Sequence, residues 1–443
     1  MRWFLGSLLI LVLGTILQLG FLVYAMYVLL GILLLSRFVT RQWSDGIKAT
    51  RSPTSGKAEI GDRRTITIEI VNQSVLAVPW LIFEESFPRK ALQQVPQKLT
   101  LKGKGKGIGI TKLSPNATHE VQYTVTFHQR GYYQLGPLLV ETGDLFGLHR
   151  QFKVLTEPQF ILVPPRMIPL SHYQIESRRP IGEIRIAHRL FEDPTRIAAV
   201  RPYQPGDPLN QIHWRATART GELHSRIYEN SCVAGATLLL DFHEQAYEGS
   251  GAERSAELAI ITAASFANAL FEEGQQIGFL SNGRDAAERI KTEGWQGEFT
   301  TRENAQTRVQ RTQSNERFRP ISVPTEKGAD RLDRILEALA RLEPGTGLDF
   351  AGLVQEAVHL LPRDATVLPI LRDASPSSAL ALGMLKRRGF AVTVIFVQFD
   401  EGYSPDWAKA PSWAEPILAQ GLDFITISSE KDLGQLSTLA LLP

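Results

Sequence analysis

The chain has 443 residues, an apolar share of 43% and a formal net charge of +2. That length exceeds one ordinary core and implies two soluble domains plus a special segment, while the near-neutral charge leaves no global electrostatic case for nucleic acid as a partner. The single cysteine, Cys232, excludes an intramolecular disulfide and a cysteine zinc cluster; lying just before an apolar run, it reads as a small core residue rather than a nucleophile.

Between Trp3 and Ser36 there is no Asp, Glu, Lys or Arg. A bilayer core takes about 20 helical residues, so this run is too long for one straight span and a little short for two. Gln18, Leu19 and Gly20 suit a tight turn near its middle. The expectation is a transmembrane hairpin of two short helices, about Arg2–Leu17 and Phe21–Leu35. Arg2 flanks one end; Arg37, Arg41, Lys48 and Arg51 flank the other. Lys and Arg prefer the cytoplasmic side, so a multi-pass hairpin in the plasma membrane satisfies both flanks and leaves the following domains in the cytoplasm. A cleaved signal peptide fits less well, because its apolar core is only about 7–15 residues long.

After the Ser52–Gly56 linker the pattern changes. Thr65–Val71 alternates with period two, and Val78–Phe83, Glu120–Phe127 and Leu138–Thr142 read similarly. Turn residues separate them, which predicts an antiparallel β-sandwich-like module over about residues 50–166. The basic run Lys102–Gly107 reads as a solvated hairpin tip, with contact to anionic lipid as the functional alternative. It lacks the Gly-Lys-Ser/Thr ending of a phosphate-binding loop. Residues 167–232 form a connecting segment.

From residue 233 to 443, strands and helices alternate. Strands are expected at Ala236–Leu240, Gln276–Leu280, Thr366–Leu371, Ala391–Phe399 and Phe424–Ile427. Helices are expected at Glu253–Phe271, at Asp330–Leu342 with Asp330 as cap, and from Pro376 to Arg388. This is the pattern of a doubly wound α/β sheet. The polar stretch Phe299–Lys327 reads as a surface loop. Ligands of open parallel sheets bind outside the carboxyl ends of the strands, which points to Asp241–Gln245, Gly345–Asp349 and Arg372–Ser375.

Within the connecting segment stand Arg201, Tyr203, Gly206 and Asp207, then Ile212, Trp214 and Arg219, extended by Leu223, Arg226, Tyr228 and Glu229. Upstream lie Arg130-Gly131-Tyr132-Tyr133 and Asp144-Leu145-Phe146-Gly147-Leu148. Together these motifs resemble the domain of unknown function 58 family over nearly the whole chain. Asn210 departs from the pattern, where the family often has a basic residue. The resemblance implies a C-terminal von Willebrand factor type A-like domain. It also implies partnership with a MoxR-type AAA+ ATPase, in chaperone-like assembly or maturation of a client protein. It implies no enzymatic reaction.

The signature residues admit two roles. One is a structural joint in which Asp207 anchors an arginine and Trp214 packs at a domain boundary; the other is a docking surface. The type A resemblance also implies a metal-ion-dependent adhesion site, which uses oxygen ligands suited to Mg²⁺. Here that site is degenerate: Asp241, Thr346 and Asp373 resemble ligand positions, both first-loop serines are replaced, and His243 brings a nitrogen ligand that favours Zn²⁺ or Mn²⁺. Three functions follow as expectations: a membrane-anchored scaffold, a metal-dependent hydrolase using Asp241 and His213, or an exported adhesion-like protein.

Overall fold

The computed structural model describes residues 2–52, 56–93, 96–103, 107–145, 147–170, 192–204, 212–230, 235–249, 251–293, 319–362, 365–398 and 415–435. Two apolar helices come first, α1 (Arg2–Ile16) and α2 (Gly20–Gly46), turning at Gln18, which takes a positive φ. Of these, α2 is long and apolar enough to cross a membrane, whereas the apolar part of α1 is shorter. The expected end near Leu35 is wrong for α2. It continues past Arg37 and Arg41, because Leu33, Ser36, Thr40, Trp43 and Ser44 recur on one face and are buried. Trp43 belongs to the core of the β module, Ser36 Oγ lies 2.8 Å from His149 Nδ1, and Lys153 Nζ donates to the Ser44 carbonyl. The helix stops at Gly46, where a Cβ would come within 2.5 Å of the Ser74 Cβ.

The next strand follows at once, ahead of the expected linker: β1 (Ile47–Arg51), then β2 (Gly56–Lys57), β3 (Arg63–Asn72) and β4 (Val78–Glu85). A short helix, α3 (Arg89–Gln93), precedes β5 (Leu99–Gly103), β6 (Ile108–Leu113), β7 (Thr118–Phe127), β8 (Gly131–Leu135), β9 (Leu138–Gly143), β10 (Arg150–Thr156) and β11 (Gln159–Val163). Two four-stranded antiparallel sheets, β1-β3-β7-β5 and β10-β9-β4-β6, share one core, with a third sheet, β2-β11-β8, beside them. Alternation drives this arrangement: on β3, Ile66, Ile68 and Ile70 are fully buried while Thr65 and Glu69 are exposed. The basic run does not form a hairpin tip. β5 and β6 lie in different sheets, so the run joins one sheet to the other; Lys104, Gly105 and Lys106 themselves fall outside the described residues.

An ion pair is sealed inside this module. Arg51 on β1 donates to Glu85 on β4 (2.5 Å) and to the Leu135 and Glu157 carbonyls, and Tyr123 donates to the same carboxylate. Burial pushes the Glu85 carboxyl above the usual range, and Arg51 and the Tyr123 hydroxyl pull it back. The pair bridges the two four-stranded sheets. Arg51 is therefore committed to the protein interior and is no basic flank for a membrane span.

β12 (Glu192–Pro202) and β13 (His224–Asn230) form an antiparallel ribbon, with helix α4 (Trp214–Thr220) between them in sequence. The C-terminal part is β14 (Gly235–Leu240), α5 (Ala252–Glu272), β15 (Gln276–Ser281), β16 (Arg284–Asp285), α6 (Ala286–Glu293), β17 (Ile321–Glu326), α7 (Ala329–Arg341) and β18 (Leu342–Glu343). It continues with α8 (Phe350–Ala357), β19 (Thr366–Leu371), α9 (Pro376–Arg387), β20 (Ala391–Val397), α10 (Glu415–Ala419), β21 (Asp423–Ile427) and α11 (Glu430–Gln435). Six strands form one sheet in the order β17-β15-β14-β19-β20-β21, parallel except for β17. Leu238 and Leu240 on β14, with Leu368, Ile370 and Ile395, face a core shared with α5 and α7. Leu239, Val367, Val394 and Phe396 face the opposite core, shared with α8 and α9. Side-chain alternation thus places helices on both faces. The strand β17 corrects the reading of residues 299–327 as loop throughout. Gly328, not Asp330, is the N-cap of α7; Asp330 sits in the first turn and pairs with Arg334.

Candidate functional site

The carboxyl ends of β14 and β15 meet beside the crossing from α7 into β18. Asp241, the first residue after β14, is 7% exposed. Its backbone N–H still donates to the Ile370 carbonyl. Its Oδ1 accepts from Asn282 Nδ2 (2.8 Å) and from the His243 backbone N–H (3.3 Å), and Asn282 Oδ1 accepts from the Phe242 N–H (2.6 Å). One amide side chain therefore satisfies the strand-end turn from both sides. Tyr247 closes it from below, donating to the Asp241 carbonyl (3.0 Å). Burial pushes the Asp241 carboxyl up and Asp349 adds like charge; the hydrogen bonds from Asn282 and His243 and the charge of His243 oppose this.

The segment after α7 runs alongside. Gly345 N–H donates to the Phe242 carbonyl and its own carbonyl accepts from Glu244 N–H. A Cβ at Gly345 would lie 3.0 Å from the Asn282 carbonyl oxygen, so the approach of the two backbones requires glycine. Asp349 caps α8 by accepting from Gly352 N–H.

Asp241, His243, Thr346 and Asp373 all lie in the loops at this end of the sheet. Among the described residues no three His, Cys, Asp or Glu side chains form a group that could hold a metal. Locally, His243 Nδ1 accepts from Gln245 N–H, Asp373 Oδ1 from Ala374 N–H, and Asp241 Oδ1 from Asn282. Thr346 is exposed. His213 is the N-cap of α4, its Nδ1 accepting from Ala216 N–H (3.0 Å), while Asp241 is held by Asn282 at the end of the six-stranded sheet.

Phe242 also receives a residue from the β module. Arg130, immediately before β8, is 6% exposed, and its guanidinium carbon lies 5.9 Å from the Phe242 ring centroid. Its Nη1 donates to the Leu339 (2.9 Å) and Leu342 (3.0 Å) carbonyls at the carboxyl end of α7, and its Nη2 pairs with Glu257 on α5 (3.2 Å). A cation at a helix carboxyl terminus is favourable, and the planar fork reaches both partners at once. Nearby, burial and then Arg130 lower the Lys98 ammonium from its ordinary value. Sequence reasoning placed Arg130 in a motif but gave it no role, and it passed over Asn282. The only signal for Asn282 was a polar amide directly after an apolar strand.

The signature residues lie on the ribbon. Tyr203 N–H donates to the Leu223 carbonyl and His213 N–H to the His224 carbonyl, while Ile212 bridges Ser225 and is buried. Arg201 is the penultimate residue of β12, and its Nη1 donates to the Pro202 carbonyl. Gly206 and Asp207 lie outside the described residues. Trp214 opens α4 and is 65% exposed, so it does not pack at a domain boundary as a structural joint would require. Arg215 and Arg219 are exposed beside it, and α4 contributes no buried residue.

The model of the family described as "Protein of unknown function DUF58" matches residues 199–303, from the end of β12 past α6. The chain is 23% identical over 241 residues to the "Uncharacterized protein YeaD" of Bacillus subtilis (strain 168), a match covering 54% of this chain and 56% of that protein. The chain thus spans about half the length of this curated relative. Among solved structures, the CARDB domain of the PF1109 protein from Pyrococcus furiosus, in complex with di-metal ions, is 10% identical. It covers 26% of this chain and 86% of that one, with a TM-score of 0.17. The PapD-like domain 7 of human CEP192 is 15% identical over 26% of this chain and 83% of that one, also at 0.17. At such scores neither likeness carries an argument. The matched span, residues 199–303, holds the ribbon signature and the strand end at Asp241, and over it the chain is similar to the family described as "Protein of unknown function DUF58".

Proposed function

We propose that the protein is a membrane-anchored binding scaffold, with α1 and α2 as a two-pass anchor, its domains on the cytoplasmic face and a von Willebrand factor type A-like C-terminal domain. Its partner in this reading is a MoxR-type AAA+ ATPase, acting with it in the assembly or maturation of a client protein. The carrying observation is the exposure of Trp214 on a helix flanked by Arg215 and Arg219. Exposed Trp and Arg are the residues that most often anchor protein interfaces. Consistent with binding rather than catalysis, the polar groups at the sheet end spend their hydrogen bonds on one another.

Crosslinked pull-down from membranes tests this. Trp214→Ala is expected to lose the ATPase from the captured material while changing stability by no more than about 0.5 kcal/mol, the usual range for an exposed site. Capture of the ATPase at wild-type levels by the variant would remove α4 from the interface; its absence from the wild-type capture would remove the partner.

A further inference from the structure

Between β9 and β10 the chain makes a turn whose base is closed by hydrogen bonds and which carries Leu145 and Leu148. Asp144, buried, accepts from the His149 backbone N–H through Oδ1 (2.8 Å), and its own N–H donates to the His149 carbonyl. The Asp144 carbonyl accepts from Gly147 N–H, and Gly147 takes a positive φ. With the base closed this way, Leu145 (73% exposed) and Leu148 (45%) project outward.

The position of the turn supplies the occupant. His149 Nδ1 lies 2.8 Å from Ser36 Oγ on α2, and Ser36 directly follows the last apolar residue of the span, Leu35. Leu33, one turn earlier on the same helix, is buried as well. The β module therefore reaches the level at which α2 leaves its apolar stretch. From Gly20 to Ser36 an α-helix rises only about 24 Å, short of the roughly 30 Å of a bilayer core. A short span draws its flanking structure toward the lipid. Phe38 is exposed just beyond, and Arg37 and Arg41 are exposed and basic, as at a surface facing anionic headgroups.

We propose that the Asp144–His149 turn is a second membrane contact, with Leu145 and Leu148 seated in the interfacial layer of the bilayer that α2 enters. The lipid surface is the partner, and the contact adds a second point that fixes the orientation of the β module against the membrane. This deepens the anchored-scaffold reading and rests on it.

The test uses the full-length chain, carrying Cys232→Ser, in vesicles of phosphatidylcholine and phosphatidylglycerol. An environment-sensitive fluorophore is attached at Leu145→Cys or Leu148→Cys, and lipids with nitroxide groups near the headgroup serve as quencher. Tyr24→Cys, exposed on α2, reports the anchor itself. Val75→Cys is the aqueous reference, because the backbone of neighbouring Gln73 bonds to Gly46 at the far end of α2. The expected result is loss of most emission, with a blue shift, at both loop positions and at Tyr24, and little loss at Val75. Quenching at Tyr24 with loop probes as bright as Val75 overturns the second contact and leaves the anchor standing. A blue shift without lipid quenching means the leucines are covered by protein, such as a second copy of this chain, and also overturns it. No quenching at Tyr24 sinks the anchor and the loop contact together.

Discussion

Asp241 is a carboxylate in a place that disfavours its charge. An acid whose folded value is raised binds its proton more tightly folded than unfolded. Its contribution is therefore full below the ordinary aspartate value, about 4, and is lost as pH climbs through the raised folded value. Asp241→Asn keeps an oxygen for Asn282 Nδ2 and His243 N–H and removes the charge. Its melting temperature is expected to equal or exceed that of the unaltered protein at neutral pH, and the fall in stability from mildly acid to neutral pH is expected to flatten. Asp241→Ala instead leaves the Asn282 amide unpaired and is expected to cost about 1–3 kcal/mol. Chemical denaturation at two pH values checks both. If Asp241→Asn were the more damaging of the two, Asp241 would have to be read as a required negative charge.

At the scale of elements, α2 belongs to two environments. Its first part is an apolar span, and its last part is a buried face of the β module, with Trp43 only 7% exposed in the core. Trp43→Ala is expected to destabilise the β module by about 3–5 kcal/mol, as other buried large-to-small changes do. Phe21→Ala, at a position 90% exposed, is expected to leave the melting of that module unchanged in detergent. The sequence reading ended α2 near the first charges because Arg37 and Arg41 look like a membrane boundary. A helix does not stop where the charge pattern changes. Leu33, Ser36, Thr40 and Trp43 carry the same face across that boundary. The strand β17 was missed for a related reason: an edge strand with one side exposed and a polar stretch before it lacks the apolar run that exposed β14 and β20.

For the whole molecule, Arg130 is a residue through which the β module grips the α/β part. It ties β8 to the end of α7, to Glu257 on α5 and to Phe242 beside Asp241. Arg130→Ala is expected to lose at least about 2 kcal/mol, since its hydrogen bonds are charge-assisted and buried. It is also expected to resolve a single calorimetric transition into two. Arg130→Lys should recover little, because a point charge cannot span the Leu342 carbonyl and Glu257 together. A single, unshifted transition in Arg130→Ala would show that the two parts are joined elsewhere.

Local pattern alone determined the apolar start, the alternating strands β3, β4, β7 and β9, and the βα rhythm from β14 to β21, because each is written in the period of neighbouring residues. The ribbon signature was legible too, as a set of residue types at fixed spacing. What the tertiary structure decided concerns partners distant in sequence. Arg130 meets a carbonyl 209 residues away, Asn282 turns inward onto Asp241 across two strand ends, and His149 meets Ser36. It also decided the surroundings of the loop residues: Asp241 Oδ1 accepts from Asn282, which only folding brings within reach, while His243 and Asp373 accept from backbone N–H groups one or two residues on.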